Sequence, residues 1–210
     1  RIDRRSKEMH MQAGIRTGAV MALLLLVAGR GTAPTPLADP NASYERALER
    51  TAPLAVTLVP GSAEEQKAFA RVQTYFAGMT ADSVREQTAT VYAPEGYLND
   101  TLVGIDGADR IEAYFSHTME RARLLNVEFL DRAATGTDWY VRWRMTVVAD
   151  GLNGGQEVVT YGVSHFRFDA DGRLLIHKDF WDSGTGLYEQ LPGLGRVIGR
   201  VRAAVEKGAR

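Results

Sequence analysis

"HFRFDADGRLLIHKDFWD", residues 165–182, decides how the rest of this chain is read. "DADG" is a turn, and the apolar runs on either side are two strands of a hairpin. The second strand ends in His177, Lys178, Asp179, Phe180, Trp181 and Asp182. A strand that only fills a core has no use for an imidazole and two carboxylates at one end. Side chains alternate along a strand, so His177, Asp179 and Trp181 share one face and Lys178, Phe180 and Asp182 the other.

Working toward the N-terminus, the period-two pattern continues. In "WYVRWRMTVVA" (139–149), Trp139, Val141, Trp143, Met145 and Val147 alternate with Arg142, Arg144 and Thr146. "DGLNGG" (150–155) reads as a hairpin turn and "NVEFLDRA" (126–133) as a further strand. Before Leu124 the period is helical. Ser62 and Glu65 have capping-box spacing ahead of Phe69, Val72, Phe76 and Met79. Asp82 is placed to cap a second helix, with Val84, Thr88 and Val91 inward and Pro94 as its stop. After the short β-like "GYLNDTLVG", Asp106 is placed to cap a third, with Ile111, Tyr114, Phe115, Thr118, Met119 and Ala122 in one stripe. Asn41–Arg50 reads as a short helix stopped by Pro53, and Leu194, Val197, Ile198, Val201 and Val205 as a final amphipathic helix. Three helices followed by a meander of strands is an α+β order, with the sheet curled around the helices.

The chain has 210 residues, a net charge of −1 and no cysteine. That balance gives no field to attract nucleic acid, and the missing thiols exclude disulfides, thiol catalysis and cysteine metal sites. No phosphate loop, nucleophile elbow or HxxxH spacing occurs, so neither a cofactor nor a metal is expected. Arg16 precedes the apolar run Ala19–Gly29, which has signal-peptide length, with Met9 or Met11 as the expected start. The expectation is export, to the periplasm or beyond. "LVAG" is similar to the end of a lipoprotein signal, but Arg30 holds the cysteine position, so no thioether lipid can form. The expected divisions are 1–29 signal peptide with an upstream extension, 30–61 linker with a short helix, 62–184 folded domain and 185–210 C-terminal helix.

Two stretches, "VYAPEGYLNDTLVGIDGADRIEAYF" and "HFRFDADGRLLIHKDFWD", resemble the nuclear transport factor 2-like superfamily and, within it, the SnoaL-like polyketide cyclase branch. The resemblance covers about residues 64–182. It implies a cone-shaped antiparallel sheet wrapped around three N-terminal helices, with a deep pocket for a small, largely apolar ligand. The branch ends its last strand in His–aromatic–Asp and uses the carboxylate as general acid/base. That implies His177 and Asp179 as the catalytic pair of a cofactor-free lyase, isomerase or cyclase, with Lys178 standing where the aromatic would be. A carboxylate in an apolar pocket exchanges protons nearer neutrality, because desolvation disfavours its charged form. Members of the superfamily also include plain binding proteins, so the first reading is ligand binding and the alternative is catalysis. Expected ligand contacts are Tyr97, Asp100, Tyr114, Trp139, Trp143, Trp181 and, less directly, Asp182. His117 reads as solvated, and His165 is close enough in sequence pattern to approach His177 across adjacent strands. A homodimer and a weak membrane-surface contact of the basic last helix stay open.

Overall fold

The computed structural model describes residues 39–208. The leader expected over 1–29, and the linker before Asp39, lie outside the described residues. Helix α1 (Pro40–Thr51) opens the unit, with the Asp39 side chain accepting from the Asn41 N–H and proline in its first turn. Helices α2 (Ala63–Phe76) and α3 (Ala81–Val91) follow, then strands β1 (Tyr92–Asn99) and β2 (Gly104–Asp106), and helix α4 (Ala108–Met119). The long strands are β3 (Ala122–Thr135), β4 (Asp138–Ala149), β5 (Val158–Phe168) and β6 (Leu174–Trp181). A one-turn helix α5 (Ser183–Gly186) and helix α6 (Leu194–Gly208) close it.

The six strands form one sheet in the order β2-β1-β6-β5-β4-β3. It is mixed rather than antiparallel throughout, because β1 and β6 run parallel. Helices α2, α3 and α4 cover its inner face through Phe69, Val72, Tyr75, Phe76, Val84, Ile111 and Phe115. These meet Trp139, Val141, Trp143, Phe166, Phe168 and Leu174 from the strands. The alternation read for β4 holds: Trp139, Val141 and Trp143 are buried, while Arg142 is exposed and pairs with Asp131.

The Ser62 cap holds, while Glu65, Asp82 and Asp106 take other partners. Ser62 does accept from the Glu65 N–H, but the Glu65 side chain turns inward and pairs with Arg132. The reciprocal capping box belongs to Thr80 and Ser83, and Asp82 pairs with Arg85 instead. Helix α4 starts at Gly107 without a side-chain cap, because Asp106 is engaged by Arg50 of α1.

Helix α1 lies on the opposite, outer face of the sheet. Its Ala47 packs with Tyr97 and Ile176, flanked by Tyr44 and Leu48. Twelve residues form a helix that is marginal alone. This cluster and its hydrogen bonds are therefore what hold α1. Arg167 donates to the Leu48 carbonyl at 2.9 Å and Arg50 to the Glu95 carbonyl at 2.6 Å.

Candidate functional site

A one-residue bulge sets which face of β6 carries the chemistry. Leu174 pairs with Phe168, yet Ile176 pairs with Arg167, so Leu175 is an extra residue. Leu174 therefore belongs to the inner core, while Ile176, two residues on, belongs to the outer cluster. The slip turns His177 and Asp179 inward.

The His177 ring is enclosed by Phe76, Tyr92 and Phe166, with centroids at 5.4, 6.0 and 4.9 Å. Its Nδ1 lies 2.6 Å from the Tyr92 hydroxyl, and its Nε2 lies 3.0 Å from Asp179 Oδ1. A carboxylate can only accept, so the ring proton is assigned to Nε2 and the tyrosine donates to Nδ1. The Ser164 hydroxyl donates to the same Asp179 oxygen and accepts from Trp143 Nε1–H at 2.8 Å. Two donors thus converge on Oδ1, and no hydrogen bond to Oδ2 is seen among the described residues. The Asp179 side chain is 17% exposed, so this carboxylate sits at the mouth of the inner face.

The neighbouring strand brings a second carboxyl to the same mouth. Asp100 follows Asn99, which pairs with Lys178 across the parallel ladder. Its Oδ1 accepts the N–H groups of Leu102 and Val103, both at 2.9 Å, and its Oδ2 accepts the Tyr114 hydroxyl. Its backbone carbonyl accepts Trp181 Nε1–H at 2.9 Å. Burial pushes the Asp100 carboxyl above the ordinary aspartate value, against these hydrogen bonds, and the charge of Asp179 adds to the rise. Burial likewise pushes the Tyr114 hydroxyl up, with the Asp100 and Asp179 charges adding.

His177, Asp179, Asp100, Tyr114, Trp143 and Trp181 are therefore brought together. Three other expected contacts are not. Tyr97 is buried on the outer face, bonded to Ser43 and Asn99. Trp139 is in the inner core against Phe69, at 5.0 Å, with its N–H unpartnered. Asp182 is exposed and caps α5 by accepting from the Thr185 N–H. His117 is exposed beside Glu120. His165 faces Lys178 across the ladder, and Phe166 faces His177, so the two histidines lie on opposite faces and do not approach.

Tyr92 and Ser164 were not anticipated. Alternation back from "DADG" pairs Asp179 with Val163; the bulge at Leu175 makes it Ser164. Tyr92 reads as the end of a helix and carries no polar signal of its own. A surface cleft of about 450 Å³ lies elsewhere, between Asn153–Gly154 and Glu189–Arg196.

A family model described as SnoaL-like domain matches residues 72–177. No curated protein matches the sequence. Among solved structures, a hypothetical protein with ketosteroid isomerase-like fold from Catenulispora acidiphila DSM 44928, in complex with trimethylamine, is similar at TM-score 0.51 and 12% identity, covering 60% of this chain and 94% of that one. A LEH-like epoxide hydrolase from M. tuberculosis is similar at 0.50 and 15%, covering 67% and 99%. TsrD from Streptomyces laurentii is similar at 0.51 and 18%, covering 65% and 98%. At these identities the likeness is one of fold.

Proposed function

The chain belongs to the SnoaL-like domain family, and from that premise we propose that it takes a small, largely apolar ligand at the inner mouth of the sheet and moves a proton on it without a cofactor. The observation that carries this is Asp179: a carboxylate with no arginine or lysine on it among the described residues, fixed through one oxygen by Ser164 and His177, beside a second carboxyl that burial keeps protonated to a higher pH. Two neighbouring carboxyl groups in different environments are suited to acid–base work. Asp179 takes a proton from a carbon next to a carbonyl; the C–H electron pair becomes the new C=C bond and the C=O π pair moves onto the oxygen. Asp100, when protonated, donates to the Tyr114 oxygen, which frees the tyrosine O–H to donate a hydrogen bond to the new oxyanion, and the oxygen pair re-forms C=O when the proton returns. Return of the proton to a different carbon completes an isomerisation. Trp181 and Trp143 supply apolar walls.

The test is deuterium uptake by a panel of cyclic ketones in heavy water. Wild type should promote exchange, Asp179→Asn should lose it by about 10²–10⁴-fold, and Asp182→Asn should behave as wild type. Equal rates in wild type and Asp179→Asn would sink the reading.

One observation favours a second reading, binding without turnover: the rings of Phe76, Phe166 and Tyr92 leave His177 closely packed. Native mass spectrometry of protein from its host, showing a retained molecule that wild type does not convert, would select it. The run Ala19–Gly29 supports placing either activity outside the cytoplasm. An N-terminus near Arg30 on the natural protein is the expected result, and one at Met9 or Met11 would refute it.

A further inference from the structure

Helix α6 is the one long helix among the described residues with no buried residue. It packs chiefly on the single turn Tyr188–Gln190. Yet its sequence is amphipathic: Leu194, Val197, Ile198, Val201 and Val205 fall on one face. Val197, Val201 and Val205 are 53%, 57% and 68% exposed. An apolar stripe of this kind on an otherwise polar helix is unpartnered surface that water does not favour.

The charges beside the stripe indicate what covers it. Arg196, Arg200 and Lys207 form a ridge along one border, and Arg202 stands at the other, where it reaches Glu189 at 2.6 Å. Glu206 is the only acid of the helix and lies on the polar side. In a protein interface such flanking cations would fall on the polar rim and would call for acids opposite them. A stripe bordered on both sides by long cationic chains instead matches an anionic headgroup layer, into which arginine and lysine stems extend while the valines enter below. No helix among the described residues is long and apolar enough to cross a membrane, so an in-plane position is the geometry that fits.

We propose that α6 binds the surface of an anionic lipid bilayer, lying in its plane with the valine stripe inward. The inference does not depend on the acid–base reading of the inner site.

The absence of cysteine gives a clean reporter. Val201→Cys in the full chain carries a single polarity-sensitive fluorophore, which senses α6 and not the apolar run near the N-terminus. Its emission should shift to the blue on vesicles containing about one quarter phosphatidylglycerol, and not on phosphatidylcholine alone. Adding Arg200→Gln and Lys207→Gln should weaken the partitioning by about fivefold for each cation removed. No shift, or equal shifts on both vesicles, would overturn the proposal. So would a shift without lipid that grows with protein concentration, which would mean that a second copy covers the stripe.

Discussion

His165 and His177 stand on neighbouring strands with their rings on opposite faces of one sheet, and each has a tyrosine hydroxyl 2.6 Å from Nδ1 and an aspartate at Nε2. The outer set is Tyr44, His165 and Asp138; the inner set is Tyr92, His177 and Asp179. They differ in how the aspartate is finished. Asp138 is also bound by Arg167, at 2.7 Å, whereas the Asp179 carboxylate has, among the described residues, the Ser164 hydroxyl beside its histidine. A charge neutralised by guanidinium is a structural tie. The outer set therefore fastens α1, whereas the inner aspartate is held by neutral donors at the mouth of the inner face.

Tyr44→Phe should loosen α1 without touching the inner face. The change leaves buried His165 Nδ1 without a partner, at a cost of about 1–3 kcal/mol. Urea titration should show this loss, while ligand retention at Asp179 stays at the wild-type level.

Burial holds His165 below the ordinary histidine value of 6.5, against the pull of Asp138. The unfolded chain then binds a proton at 6.5 while the folded one does not, so stability from this site is full above 6.5 and falls as the pH drops below it. The urea midpoint of wild type should decline between pH 7.5 and 5.5, and His165→Gln should flatten the decline. An unchanged slope would remove His165 as its source.

Asp100 titrates with the opposite sign. Its folded value is raised above 3.8, chiefly by burial, so the folded state takes up the proton first on acidification and the cost of the buried charge is full at neutral pH. Asp100→Asn keeps an oxygen for the Leu102 and Val103 N–H groups and offers an N–H to Tyr114. It should raise the melting temperature at pH 7, and the advantage should vanish near pH 4. Calorimetry at the two pH values measures both.

Gly162 is where the inner face depends on a missing side chain. A Cβ there would lie 2.3 Å from Trp143 Cζ2 and 2.9 Å from the Phe180 carbonyl oxygen. Gly162→Ala should cost about 1–3 kcal/mol through overpacking. It should also shift tryptophan emission, because the indole must leave Ser164.

The alternating face of β4, the stripes of α2 to α4 and the turn at "DADG" are visible in sequence because each repeats one period over many residues. Neighbours across strands are not. The bulge at Leu175 moves every pairing beyond it by one, which hid Ser164. The outer site was hidden for another reason: Tyr44 comes from a helix that reads as part of a linker, 121 residues from His165. Tyr97 and Trp139 read as ligand contacts, yet Tyr97 is buried in the outer cluster and Trp139 in the inner core, because residue type does not say which face or which end of a curved sheet a ring occupies.

β6 lies between β1 and β5, although it is the last strand made. Tyr92 and His177 are 85 residues apart. At about 5–20 residues per second, a ribosome needs roughly 4–17 s to span that interval. Throughout it β1 has an open edge, and β5 another once it is made, with no strand to join them. The two halves of the sheet become one only when residues 174–181 emerge, so folding is committed late and by a single insertion. A nascent chain with two open edges is exposed to pairing with other chains, and the long loop to be closed slows the final step. The strand that carries His177 and Asp179 is thus also the keystone of assembly: a chain cut short before it would have no site, and its sheet would stay in two pieces.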